Sequence, residues 1–186
     1  MKQFLNYWLC VMLAVLVAAC QKDNIVLIDP INTEEDDITN IEFARTVYVT
    51  YSLSEDASVT GMNEDFMVTV SGNDVTIVYS GEEYVMYELF GSTNDGFFKL
   101  YSTTKQGITL NGVSITNSDA AAIFVVSADK VLVTTAAGST NTLSTTGAFA
   151  AIGDTSVDGV IYAKDDLVLN GEGTLVISSS ENGIVR

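Results

Sequence analysis

The chain has 186 residues, 24 of them Asp or Glu, only 8 Lys or Arg, and none His, for a formal net charge of −16. That balance offers no basic footprint for phosphates and so excludes nucleic acid as a partner. The absence of histidine excludes Ser-His-Asp and Cys-His catalysis and zinc-protease chemistry, leaving carboxylates, Lys, Arg, Tyr, hydroxyls and hard cations.

In chain order, the first element is a leader. Lys2 gives a minimal positive start, and Phe4 to Ala19 is an apolar run interrupted at Asn6. Sixteen residues is short for a bilayer span, and small residues close it, as in a signal peptide. Val17-Ala18-Ala19-Cys20 matches the bacterial lipobox, in which the Cys becomes the lipid-modified first residue. The expectation is a signal peptide over residues 1–19, lipidation at Cys20, and an envelope-anchored domain, in the outer membrane or at the cell surface. Membrane contact would come only through the lipid. Cys10 leaves with the leader, so no cysteine remains for a disulfide, metal or nucleophile. Residues 20–44 read as the lipidated Cys and an acidic tether. Its Glu34-Glu35-Asp36-Asp37 run is a solvated charge cluster or a cation site.

From Arg45 onward the sequence consists of short β-branched and aromatic runs split by turn residues. Val47-Tyr48-Val49-Thr50-Tyr51, Val75-Thr76-Ile77-Val78 and Leu167-Val168-Leu169 are examples, and Ser71-Gly72-Asn73-Asp74 is a typical separator. No window sustains helical periodicity, so residues 45–186 are expected to be all-β. A repeat runs through them. Asp95-Gly96-Phe97-Phe98, Asp119-Ala120-Ala121-Ala122-Ile123, Asp158-Gly159-Val160-Ile161 and Asn182-Gly183-Ile184-Val185 share a polar-small-apolar phase. Their starts lie 119 − 95 = 24, 158 − 119 = 39 and 182 − 158 = 24 residues apart. The middle interval reads as one repeat with an insertion between Ser144 and Val157. Three strand-like beats fall in each repeat: Ile123–Val126, Val131–Thr135 and Thr140–Ser144, then Val160–Ala163, Leu167–Leu169 and Thr174–Ile177.

Three short strands per roughly 24 residues is what one coil of a parallel β-helix requires, with coils stacking about 4.8 Å apart. An antiparallel β-sandwich also shows strands at 8–12-residue spacing and is the alternative. Residues 45–90 keep strand character but lose the phase, as an atypical first coil and N-terminal cap would. A new coil opens at Asn182, close to Arg186, so the chain is expected to be a C-terminally truncated member of a longer family.

Leu110-Asn111-Gly112-Val113-Ser114-Ile115-Thr116, Ser118-Asp119-Ala120-Ala121-Ala122-Ile123, Ser127-Ala128-Asp129-Lys130-Val131, Asn141-Thr142-Leu143-Ser144 and the stretch from Val160 to Leu175, with its Lys164-Asp165-Asp166-Leu167 corner, resemble a family of secreted bacterial carbohydrate-binding proteins. The resemblance covers roughly residues 68–186. It implies a right-handed parallel β-helix similar to pectate lyases, bound calcium, and binding of acidic polysaccharides such as polygalacturonate or of cellulose-like β-glucans, without cleavage as the family trait. Further Lys-Asp-Asp coils usual in that family are absent here.

An acidic protein binding an anionic polymer needs a bridge, and Ca²⁺, which takes six to eight oxygens, could share them with sugar carboxylates. The resemblance points to Asp165 and Asp166 as ligands. Asp158 and Asn182 lie one repeat apart and could stack beside them, with Asp119 and Asp95 continuing the file. Asp and Asn also suit tight corners, which is the structural alternative for all six; Asn111 and Asn170 read as turn residues. Tyr79, Tyr84, Tyr87, Phe90, Phe97, Phe98 and Tyr101 crowd the first half of the repeat region. Tyr84 and Tyr87, flanked by Glu82, Glu83 and Glu88, are the candidates for stacking on sugar rings, and the Phe residues read as core. Lys164, beside the candidate cation cluster, could contact sugar. It would also be the base if the chain were a lyase, a lesser alternative to a non-catalytic binding protein and to a purely structural or adhesive solenoid.

Overall fold

The computed structural model describes residues 40–149, 157–181 and 183–186, all within one compact unit, residues 35–186. The predicted leader, Cys20 and the greater part of the tether lie outside the described residues. Those described contain no α-helix. Thirteen strands follow one another: β1 Arg45–Tyr51, β2 Ser58–Thr60, β3 Phe66–Ser71, β4 Asp74–Tyr79, β5 Val85–Thr93, β6 Phe97–Tyr101, β7 Gln106–Asn117, β8 Ile123–Ser127, β9 Lys130–Thr135, β10 Thr140–Thr145, β11 Ile161–Ala163, β12 Asp166–Gly171 and β13 Thr174–Ser179. The six beats read from the two repeats are β8 to β13.

Two sheets form. In the first, strands run β12-β9-β7-β5-β1-β2, with β10 joining β7 to β13; in the second they run β11-β8-β6-β4-β3. Among the described residues nine of the eleven strand pairs are parallel. The sheets are nevertheless mixed, because β1–β2 and β3–β4 are antiparallel. Both exceptions lie in residues 45–90, where the repeat phase was lost, and β2 and β3 form the edges at that end. The reason is loop length. Only Gly72 and Asn73 separate β3 from β4, enough for a hairpin and far too few for a parallel crossover. An antiparallel sandwich would pair chain neighbours throughout, whereas here β4–β6–β8–β11 and β5–β7–β9–β12 pair in parallel across crossovers.

The first sheet is itself folded at glycine corners. The first half of β7 pairs with β5 and β9, while Ser114–Asn117 pairs with β10. Between the halves stands Gly112 at φ 74°, and Gly91, at φ 78°, makes the matching bend in β5. The parallel strands therefore fall into three stacks: β1-β5-β7-β9-β12, β5-β7-β10-β13 through the second halves of β5 and β7, and β4-β6-β8-β11.

Alternation decides what is inside. Val47, Tyr87, Ile108 and Val133 occupy one register row and are buried; Ile77, Leu100 and Val125 form another across the second sheet. These rows meet in one apolar core. Each fully buried large side chain contributes about 1.5–3 kcal/mol relative to exposure. The polar-small-apolar segments do stack: Phe98, Ile123 and Ile161 are in register and Val185 bridges Ile161, at offsets of 123 − 98 = 25, 161 − 123 = 38 and 185 − 161 = 24 residues. The long interval falls between the end of β10 and the start of β11, as the repeat arithmetic placed it.

Candidate functional site

The candidate cation ligands do not converge. Asp165 sits in the turn entering β12, and its Oδ2 accepts a hydrogen bond from the Ala128 amide at 3.1 Å. The Lys164 amide donates to the Val125 carbonyl at 3.1 Å, so the Lys-Asp-Asp corner is tied to the coil beside it by backbone groups. Asp166 opens β12 opposite Lys130 and forms an ion pair with it at 3.7 Å. Asp158 pairs with Arg186. Asp95 accepts from the Ser118 amide at 3.1 Å, and the Asp119 amide is held by Asn117 Oδ1 at 2.9 Å. Asn182 lies outside the described residues. Among the described residues no group of three or more acidic side chains could hold a metal ion. The donors described do not by themselves make up the six to eight oxygens calcium takes. Asp74, which the sequence reading left out, feels both Asp95 and Asp119, and its carboxyl is raised above the usual range, first by partial burial and then by those neighbours, against the opposing pull of Lys99.

Asn111 and Asn170 are not free turn residues. They end the straight runs of β7 and β12, with Asn111 Nδ2 donating to Glu88 Oε1 at 2.8 Å and Asn170 Oδ1 accepting from Thr134 Oγ1 at 2.7 Å.

The two tyrosine candidates separate. Tyr84 is exposed at 38%. It has the same parity as Met86, Glu88 and Phe90, and so lies on the outer side of the first stack. Tyr87 is a correction. It is fully buried, with its ring 5.4 Å from that of Phe98. Flanking glutamates suggested exposure, but the two-residue period puts Tyr87 in line with Val85 and Leu89, which face the core. Burial pushes its hydroxyl far above the ordinary tyrosine range.

Tyr48 was missed. It is 44% exposed and stacks with Phe90, centroids 6.3 Å apart at 27°. The signal was present in Val47-Tyr48-Val49, where two inward valines force the tyrosine outward. Across the same face runs the row Tyr48, Glu88, Thr109, Thr134, Asn170, one residue per strand of β1, β5, β7, β9 and β12. The face thus combines exposed aromatic rings at one end with hydroxyl, amide and carboxylate groups at strand spacing, about 4.8 Å. Flat rings accept the apolar faces of sugars, and the polar row can exchange hydrogen bonds with their hydroxyls.

The outer face of the second sheet carries a different set. In β6, Phe98 and Leu100 point inward, while Phe97, Lys99 and Tyr101 point outward and are half-buried. Phe97, expected in the core, is therefore on the surface. Phe124, itself buried, and Tyr162 continue the row on this side of the sheet, their rings edge-on at 5.4 Å, packed with Ala121 and Val157 in a second small apolar cluster. Burial lowers the Lys99 pKa, with Asp74 opposing the shift. The remaining expected sugar contact, Lys164, is exposed at the corner entering β12.

Residues 71–186 match a family described as carbohydrate-binding domain-containing protein. A protein of that description from Acetivibrio thermocellus is 32% identical over 122 residues, covering 63% of this chain and 41% of the relative. Among solved structures, the polysaccharide lyase-like protein from C. thermocellum, as its gadolinium derivative, superposes with a TM-score of 0.60 and 26% identity, covering 75% of this chain and 54% of that one. The chain spans less than two thirds of either relative. The family match takes in 186 − 71 + 1 = 116 of the 186 residues, and on that ground the chain belongs to the carbohydrate-binding domain-containing protein family.

Proposed function

We propose that this carbohydrate-binding domain protein holds a polysaccharide, without cleaving it, along the outer face of the β1-β5-β7-β9-β12 stack. The observation that carries the reading is the exposure of two tyrosines on one outer face, Tyr48, stacked with Phe90 and heading a row of hydrogen-bonding side chains, and Tyr84. The scaffold is read as a right-handed parallel β-helix with a hairpin cap; three parallel stacks, repeats stacking in register and the lyase-like structural relative support it. A solenoid of this kind presents a flat, rigid face that an extended glycan can follow without ordering the protein. Acidic polymers such as polygalacturonate, with calcium, and neutral β-glucans are the two substrate classes proposed. The same reading puts the domain on a bacterial envelope through Cys20, tested by loss of labelled fatty acid from Cys20→Ala.

Affinity electrophoresis of the chain through polygalacturonate and through soluble cellulose, each with calcium or with chelator, tests the proposal. Retardation is expected, and Tyr48→Ala combined with Tyr84→Ala should weaken it in soluble cellulose about tenfold or more, since each lost stacking contact is worth about 0.5–1.5 kcal/mol. Retardation lost only with chelator would make calcium part of the site. Unretarded passage of folded protein through both polymers would favour a structural or adhesive solenoid. The lyase-like relative supports a second reading as a lyase; release of unsaturated, ultraviolet-absorbing product would establish it and overturn the non-catalytic one.

A further inference from the structure

We propose that Lys99 anchors a second glycan subsite, on the outer face of the β4-β6-β8-β11 sheet, that takes the carboxylate of an acidic sugar residue directly and without a metal ion. This goes beyond the tyrosine face and stands on separate residues. The register row Thr69, Thr76, Lys99, Phe124, Tyr162 crosses β3, β4, β6, β8 and β11. The Lys99 Nζ lies 4.4 Å from the Phe97 ring centroid and 5.6 Å from that of Phe124. It is half-buried, and among the described residues it makes no ion pair, unlike Lys130 with Asp166 and Arg186 with Asp158. Ring faces attract an ammonium but supply none of the oxygen acceptors it gave up with its water. Its lowered pKa reports that loss. A carboxylate arriving at Nζ would supply charge-assisted hydrogen bonds, with the Thr76 hydroxyl next to it in register and flat rings of Phe97 and Tyr101 on the same face for the sugar.

The surrounding charge sets the direction of approach. Asp74 stands opposite Phe97, and Asp95 and Asp119 act on it, so that side of Lys99 repels anions. On the other side the row is Met67, Val78, Tyr101, which carries no charge. A uronate would lie over Tyr101 with its carboxylate directed back to Lys99. In a chain with 24 acids, a cation at this point offsets the repulsion that an anionic sugar meets there.

The test is calorimetric titration of the full chain with trigalacturonate in chelator, alongside a neutral trisaccharide and acetate. In the Tyr48→Ala/Tyr84→Ala background, which lacks the tyrosine face, saturable binding of trigalacturonate alone is expected. Lys99→Met keeps the apolar stem over Phe97 and should weaken binding at least tenfold at unchanged melting temperature; Lys99→Arg should retain it. The Tyr48→Ala/Tyr84→Ala variant should bind trigalacturonate like the parent, which separates failure of this subsite from failure of the tyrosine face. Wild-type affinity in Lys99→Met, equal binding of the neutral trimer by the Tyr48→Ala/Tyr84→Ala variant, equal binding of acetate, or no trigalacturonate binding by the parent would each overturn the proposal.

Discussion

Tyr87 places in the core a hydroxyl that has no hydrogen-bond partner among the described residues. An unmade buried bond costs about 1–3 kcal/mol, so Tyr87→Phe should leave stability unchanged or raise it by about 1 kcal/mol in urea unfolding. Tyr87→Ala should cost about 3–5 kcal/mol, and neither change should act on sugar binding except through unfolding. Asn141 is the opposite case. Fully buried, its Oδ1 accepts from the Gly112 and Val113 amides at 2.9 and 3.1 Å, and its Nδ2 donates to Ser139 Oγ at 2.8 Å and the Thr174 carbonyl at 3.1 Å. Asn141→Ala should therefore cost about 1–3 kcal/mol for each backbone donor it strands, read from the urea midpoint. Asp74 makes a pH prediction. Its folded pKa is raised above 3.8 by partial burial and by Asp95 and Asp119. Between the unfolded and folded values the native state holds the extra proton, so stability falls as pH rises through that window and the full cost is present at neutral pH. Asp74→Asn should raise the melting temperature slightly at pH 7, with the gain fading as pH falls toward 3.8; a loss at pH 7 would mean that the attraction of Lys99 outweighs these terms.

At the scale of the strand, corners decide where each run ends. Gly91 and Gly112 both have positive φ, but a Cβ at Gly91 would strike the Tyr51 carbonyl, whereas one at Gly112 meets open space. Gly112→Ala should cost about 1–2 kcal/mol from backbone strain alone, and Gly91→Ala clearly more, with comparative urea unfolding as the check. Strands were the most legible part of the sequence, because β-branched alternation and turn residues are local signals: β8 to β13 fall where the repeat put them. Two features were not legible. Tyr87 shows the first, since flanking charge was weighed above parity, and parity belongs to the strand. The second is the direction of β2 and β3. Composition predicts a strand but not its partner; only the two-residue Gly72-Asn73 connection carries that information, and it was read as a separator.

At the scale of the molecule, the sequence signalled the stacking period but not what stacking brings together. Phe98, Ile123, Ile161 and Val185 line up from spacing alone. Tyr48 and Phe90, by contrast, are 42 residues apart and meet because β1 and β5 pair in parallel with a whole atypical coil between them. Lys99 was hidden for the same reason: its neighbours Thr76 and Phe124 lie on other strands, one coil away on each side. Among the described residues the carboxylates of Asp165, Asp95, Asp166 and Asp158 meet an amide or a cation, at Ala128, Ser118, Lys130 and Arg186, a local use that spacing cannot distinguish from coordination. The central claim is that sugar is held on flat outer faces and not at the corners. Amide chemical-shift mapping during titration with soluble cellulose oligomers and with trigalacturonate tests it most directly. Shifts are expected to be confined to β1, β5 and β7 around Tyr48, Tyr84 and Glu88 for the cellulose oligomers, and to β4 and β6 around Lys99 for the uronate. Shifts centred on the Lys164-Asp165-Asp166 corner, with both faces unperturbed, would contradict it.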